Sequence, residues 1–331
     1  MKRGASGLSL LVAVNKPIGM TSHDVVNRCR RVFGERRVGH TGTLDPLASG
    51  VLPICVGPAT RLDQYLTGHD KRYSTRIAFG TETTTDDEAG DVVASGEVLP
   101  HLMDEAYASS FVKSLVGTHQ QLPPAYSSIK VNGVKAYEAA RKGNALDLEF
   151  REIQILEAKL TDSGYEGDVF CWDAEFSVSK GTYIRSLARD IGRIVGCPAH
   201  VRSLHRLSSG CIHESQAVSL DTLERLGVDA AIDPVAALGV RFAYGDDVAR
   251  FVASGNKLYG HQVKLHELFL GPDGPFRCAC MGSSCESADA ARDGELVAIV
   301  VENRLKALYR YESNSDTWKP DCVFSIGVFR G

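Results

Sequence analysis

Between residues 170 and 178 apolar side chains fall on every second position, at Phe170, Trp172, Ala174, Phe176 and Val178. That period buries one face of a strand. The alternation stops at Ser179-Lys180-Gly181-Thr182, after which Ile184, Leu187, Ala188, Ile191, Ile194 and Val195 recur at helical spacing. Residues 183–195 therefore read as an amphipathic helix, with Arg185, Arg189 and Arg193 on its other face. Residues 72–79 repeat the strand pattern, Tyr73, Thr75, Ile77 and Phe79 lying opposite Arg72, Ser74, Arg76 and Ala78. Residues 8–14 read as a buried strand, followed by a turn at Lys16-Pro17-Ile18-Gly19. A helix then begins at Thr21 or Ser22, with Asp24 in its first turn and Val25, Cys29, Val32 and Phe33 as its apolar stripe. Helices and strands recur without a regular βαβ alternation, which predicts an α+β fold with a mixed or antiparallel sheet.

Beyond about residue 240 the pattern changes to short strands, at 262–270, 295–301, 304–311 and 323–329, which predict a small, mostly-β domain. A length of 331 residues fits two domains, with the boundary expected at 1–240 and 241–331. At 44% apolar and 24% charged the chain is too hydrophobic for disorder. Its longest apolar runs, 10–14 and 296–301, fall far short of the ~20 residues of a membrane span, so no membrane partner is expected. No block suited to a secretory signal follows Met1-Lys2-Arg3-Gly4, and the nine cysteines are odd in number and scattered. Both point to a reduced, cytoplasmic setting.

The formal net charge is −4, but its distribution is uneven. Residues 1–80 carry 12 Lys and Arg against 5 Asp and Glu, and the remainder 25 against 36. A second basic stretch, 180–206, sets Lys180, Arg185, Arg189, Arg193, Arg202 and Arg206 against Asp190. Two basic tracts in an acidic chain suit a defined polyanion-binding surface, while a solvated charged face is the plainer alternative.

The segment Gly39-His40-Thr41-Gly42-Thr43-Leu44-Asp45-Pro46-Leu47-Ala48-Ser49-Gly50 holds one imidazole and one carboxylate on a backbone constrained by three glycines and a proline. Such a loop can present a catalytic side chain; from the residues alone, a turn in which Asp45 bonds its own backbone is the favoured reading. Without Gly-Lys-Ser/Thr it is no P-loop. From the residues alone Tyr73 reads more commonly as an amphipathic strand-edge tyrosine, and the plain reading of Arg185 is a surface helix arginine. The acidic run Asp86, Asp87, Glu88 and Asp91 lacks the calcium-loop pattern. Cys278, Cys280 and Cys285 fit no standard zinc spacing, so no metal is expected.

Four blocks in order, Val14-Asn15-Lys16-Pro17-Ile18-Gly19-Met20-Thr21-Ser22, the 39–50 segment, Lys71-Arg72-Tyr73 and Ser179-Lys180-Gly181-Thr182-Tyr183-Ile184-Arg185, resemble the TruB family of tRNA pseudouridine synthases. The resemblance spans about residues 8–225 and continues through 196–207. The tail resembles a PUA RNA-binding domain more weakly, and the 277–293 insertion departs from it. The resemblance implies isomerisation of the T-loop uridine of tRNA (position 55 by tRNA convention) to pseudouridine, without cofactor or metal. It makes Asp45 the nucleophile that forms a covalent link while an N-glycosidic bond is exchanged for a C-glycosidic one. Tyr73 stacks on the target base and Arg185 pairs with Asp45, the three converging in one cleft. His40, Tyr183, Leu204, Lys71, Arg72 and Lys180 form the substrate-binding set. A nucleophilic carboxylate must be ionised and held still, which a nearby arginine favours. Flipping the base out of its stack costs a few kcal/mol, and stacking on Tyr73, at about 1–3 kcal/mol, offsets much of it.

The stretch Ser127-Ser128-Ile129-Lys130-Val131-Asn132-Gly133-Val134-Lys135-Ala136-Tyr137-Glu138 resembles the T-arm-gripping insertion of stand-alone bacterial members, placed at about 119–150. A stand-alone monomer acting on tRNA without guide RNA is thus expected, ahead of a dyskerin-like guide-dependent enzyme. An RNA-binding or tRNA-folding module with incidental catalysis is the alternative from another class.

Overall fold

The computed structural model describes residues 6–127, 129–131, 133–144, 146–267, 287 and 289–331. Its backbone divides into two compact units, residues 1–69 with 208–331, and residues 70–207.

In the first unit the strand Leu10–Lys16 runs antiparallel to Ala48–Val56, Leu10 opposite Val56 and Lys16 opposite Gly50. Ala231–Ile232 lies on its other side, and Val38–His40 also pairs with Ala48–Val56. The helix Ser22–Phe33 starts where the sequence places it. Thr21 caps it in a reciprocal box with Asp24, Gly34 ends it in the left-handed conformation, and Val25, Cys29 and Phe33 are buried.

The C-terminal stretch forms its own five-stranded sheet in the order Phe242–Tyr244, Leu296–Val301, Arg304–Glu312, Thr317–Phe329, Leu258–Tyr259. The first pair is parallel and the others antiparallel. Leu296–Val301 is buried on both faces, which explains its unbroken apolar run. Ala298 and Val300 pack into one cluster, Val297, Ile299 and Val301 into another. The first cluster is continuous with the N-terminal strands. It joins Leu11, Ala13, Val51 and Cys55 to Phe242, Leu308, Phe324 and Val328. Phe329 N–H donates to Ser9 O (2.8 Å), and Arg330 forks onto Asp233, Nη2 to Oδ2 at 2.6 Å.

The second unit is a sheet ordered Ala199–Ser209 (to residue 207 in this unit), Lys71–Phe79, Val169–Val178, Arg151–Glu166, Gly117–Gln121. The last four strands pair antiparallel, with Tyr73 opposite Phe176. Both alternating segments are strands with their apolar faces buried. Trp172 is fully buried, edge-on to Phe79, and donates its indole N–H to Leu102 O (2.9 Å). The helix Ile184–Val195 follows Val169–Val178 as expected. The fold is α+β, with antiparallel and mixed sheets.

Two expectations need correction. Ile194 is 66% exposed, whereas Arg185 and Arg189 are 3% and 6% exposed. Arg185 and Arg189 are covered by polar backbone and carboxylates, and only Arg193 on that face is exposed. The strand expected at 262–270 is a 3₁₀ turn at Gly260–Gln262 and a single bridge from His266 to Phe242; residues 268–270 lie outside the described residues. Cys278, Cys280 and Cys285 also lie outside them. Among the described residues no group of His, Cys, Asp and Glu could hold a metal, and no helix is long and apolar enough to cross a membrane.

Candidate active site

Asp45 sits half-buried in the irregular loop between the strands Val38–His40 and Ala48–Val56, with His40 at its entry. Gly42 and Gly50 adopt φ of +106° and +104°, which side chains rarely tolerate. The backbone around Asp45 is fastened on both sides. Leu44 donates its N–H to Ser22 Oγ (2.8 Å) and accepts from the same hydroxyl at its carbonyl (3.0 Å). Pro46 O accepts Gly19 N–H (2.7 Å), and Asp45 O accepts Ala48 N–H (3.1 Å). Lys16, fully buried, donates Nζ to Pro17 O and Met20 O and so holds the turn that carries Gly19.

The remaining predicted residues lie in the second unit. Lys71, Arg72 and Tyr73 begin the strand Lys71–Phe79. Lys71 and Tyr73 are buried, while Arg72 points outward to Glu175 (2.6 Å). Burial lowers the Lys71 pKa to about 8, helped by the charge of Arg206. Thr75 Oγ donates to Ser203 O (2.9 Å), anchoring the strand on which buried Leu204 lies. Lys180 is in the turn before the helix Ile184–Val195, and Tyr183 precedes its first residue. Tyr183 is clamped as Leu44 is: its N–H donates to Gln121 Oε1 (2.9 Å), and its carbonyl accepts from Gln121 Nε2 (3.0 Å).

Arg185 donates to Thr85 O (2.7 Å) and Tyr126 O (2.9 Å), and Asp87 Oδ2 lies 3.6 Å from its Nη1. One turn on, Arg189 donates to Asp86 Oδ2 (2.8 Å), Leu122 O (2.8 Å) and Asp190 (3.0 Å). The two arginines thus bind the helix both to residues 85–87 and to the backbone at Leu122 and Tyr126. Burial pushes the Asp86 carboxyl up to about 6, against the lowering pull of Arg189 and then Arg185.

Sequence reasoning missed Ser22 as a support of the Asp45 loop in the first unit, and Gln121, Asp86, Asp87 and Arg189 as supports of the helix Ile184–Val195 and its start in the second. The signal for the ion pairs was adjacent carboxylates at 86–87 and arginines four residues apart. The basic tracts also differ from expectation. Arg185, Arg189 and Arg206 are buried, Arg193 pairs with Glu82, and Arg202 pairs with Glu166. In the first tract Arg28 pairs with Glu224, Arg30 bonds Asn27 and the Arg36 carbonyl, and Arg37 bonds Thr60. Arg31 and Arg36 remain exposed.

Comparison with known proteins gives concordant matches. The TruB family pseudouridylate synthase N-terminal domain matches residues 30–184, and the tRNA pseudouridylate synthase B C-terminal domain matches residues 185–235. The tRNA pseudouridine synthase B of Geobacillus thermodenitrificans is 42% identical over 225 residues, 67% of this chain and 74% of that protein. That of Bacillus subtilis is 43% identical over 215 residues, 65% and 69% of the two chains. Among solved structures, a chain of an H/ACA ribonucleoprotein bound to a substrate RNA containing 2'-deoxyuridine aligns with a TM-score of 0.64 at 21% identity, covering 96% of this chain and 85% of that one. A chain of a Cbf5–Nop10–Gar1 complex aligns at 0.64 and 22%, with the same coverage. At such identity these two speak to fold alone.

Proposed function

The chain belongs to the TruB family of pseudouridylate synthases and is an isomerase acting on tRNA, and from that premise we propose that it converts the T-loop uridine, position 55 by tRNA convention, to pseudouridine. Asp45 is the nucleophile. Its carboxylate forms a covalent link to the substrate while the N-glycosidic bond breaks, the base turns and C5 bonds the sugar; the link to Asp45 then breaks, C5 gives up its hydrogen as a proton and N1 takes a proton up. Tyr73 stacks on the flipped base, and Arg185 pairs with Asp45. His40, Lys71, Arg72, Lys180, Tyr183 and Leu204 line the substrate's path. The observation that carries this reading is the loop around Asp45: the carbonyls of residues 44, 45 and 46 and the N–H of Leu44 all have partners. A loop so constrained holds a reacting group still, as covalent catalysis demands.

The enzyme acts as a stand-alone cytoplasmic monomer without guide RNA or cofactor. The insertion at about 119–150 grips the T arm, and residues 241–331 serve as a PUA-like RNA-binding domain beside a 1–240 catalytic domain. Supporting the stand-alone reading, the relatives at about 40% identity carry the name tRNA pseudouridine synthase B. Tritium release from T-arm RNA labelled at uridine C5 tests the chemistry. Release by the wild type and none by Asp45→Asn, at unchanged RNA affinity, is expected. Turnover by Asp45→Asn sinks the assignment; tight binding without release by either protein favours a binding module.

A further inference from the structure

Thr21 and Ser22 are adjacent hydroxyl residues at the start of one helix, yet their roles differ. Thr21 caps the helix: its Oγ accepts Asp24 N–H (3.1 Å), and the Asp24 carboxylate accepts the Thr21 N–H (2.9 Å) and hydroxyl (2.6 Å). Ser22 is therefore not needed as the cap. It turns inward, is 3% exposed, and puts its hydroxyl on Leu44, the residue before Asp45. One oxygen satisfies both the N–H and the C=O of that residue, at 2.8 and 3.0 Å. Two bonds to one residue restrict its torsions more than bonds to two separate residues would.

We infer that Ser22 is a positioning residue for Asp45, fixing the peptide through which the Asp45 carboxylate is aimed. The inference deepens the proposed function and rests on Asp45 being the nucleophile. On the far side of Asp45, Pro46 O is held by Gly19 N–H, three residues before Ser22. Both flanks of Asp45 are thus referred to one short segment, 19–22, which the Thr21–Asp24 box makes rigid. Releasing the Ser22 clamp frees one flank and leaves the helix cap intact. Misplacing a reacting group by about 1 Å can lower turnover on the order of 100-fold, without changing how tRNA is held elsewhere.

The test is steady-state tritium release on full-length tRNA by the whole chain carrying Ser22→Ala, Ser22→Cys and Ser22→Thr, with Asp45→Asn alongside. Cysteine nearly matches serine in volume but bonds weakly, so it decides the matter if the alanine variant does not fold. For alanine and cysteine we expect kcat to fall on the order of 10- to 100-fold with KM for tRNA unchanged. Threonine, which restores the hydroxyl, should recover most of kcat. Wild-type kcat in the folded alanine or cysteine variant, with Asp45→Asn inactive, overturns the positioning role and leaves the nucleophile in place. A raised KM at unchanged kcat, or a loss that threonine does not rescue, overturns it too. Turnover by Asp45→Asn removes the underlying reading itself, whatever Ser22 does.

Discussion

Replacing Arg189 by methionine should destabilise the protein by an amount that depends on pH in a calculable way. Arg189 and Asp86 are both buried, 2.8 Å apart. Burial holds the Asp86 carboxyl at about 6, against an ordinary 3.8. Between those values the native state keeps a proton that the unfolded chain gives up, so the Asp86 contribution to stability falls as pH rises from 3.8 to about 6 and is level above. Arg189 is the largest influence lowering that value. Without it Asp86 stays protonated to higher pH, and stability goes on falling above 6 at about 1.4 kcal/mol per pH unit. By pH 7.5 the gap from this source is therefore at most about 2 kcal/mol, and near pH 5 it is about zero. To this is added the Leu122 carbonyl, which loses its charged donor at either pH and costs about 1–2 kcal/mol if left dry.

The expected loss then grows from about 1–2 kcal/mol at pH 5 to as much as about 3–4 kcal/mol at pH 7.5. The second figure agrees with the roughly 3–5 kcal/mol typical of breaking a buried pair from one side. Urea unfolding followed by circular dichroism at the two pH values measures it; Asp190, the other carboxyl that Arg189 lowers, widens the gap in the same direction. Adding Asp86→Leu to Arg189→Met should shrink the pH dependence of the gap to the part that Asp190 carries. A loss equal at both pH values, or one larger at pH 5, would refute the assignment of the Asp86 charge state.

Trp172→Phe leaves the Leu102 carbonyl without its indole donor and should lower stability by about 2 kcal/mol, read as a shift of the urea midpoint. Arg31→Ala and Arg36→Ala should each reduce the salt slope of tRNA affinity by about 1, measured by titration across salt concentrations. An unchanged slope removes those two from the RNA contacts. Stopping the chain after residue 240 takes Leu308, Phe324 and Val328 from the cluster containing Leu11, Val51 and Cys55. Hydrogen exchange should then show protection lost across residues 10–56, whereas retained protection there would mean that the core closes without the C-terminal sheet.

Strand and helix positions were legible wherever one face is buried and the other wet, as at 72–79 and 170–178. At Arg185 and Arg189 the same reasoning went wrong, because periodicity separates apolar from polar faces without saying what covers the polar one. The cover comes from Thr85, Asp86 and Asp87, about a hundred residues away, and from carbonyls at 122 and 126. Asp45 stood out by its glycines and proline, but the clamp that steadies it did not. A serine beside a good N-cap looks like part of the cap, and only tertiary contact shows it reaching to Leu44. At 262–270 apolar residues suggested a strand, yet the described part has one bridge, at His266, on an edge strand of three residues.

The core shared by the N-terminal strands and the C-terminal sheet also dictates an order of events at the ribosome. Residues 10–16 and 48–56 are among the first made, but their apolar neighbours at 298–328 follow some 240 residues later. At about 5–20 residues per second that is a delay of roughly 10–50 s. Within residues 70–207, by contrast, the four strands from Lys71–Phe79 to Gly117–Gln121 pair among themselves. The middle of the chain can thus close while its earliest-made strands still wait, and translation stalled between residues 207 and 296 would leave Leu11, Val51 and Cys55 open to solvent or to a chaperone.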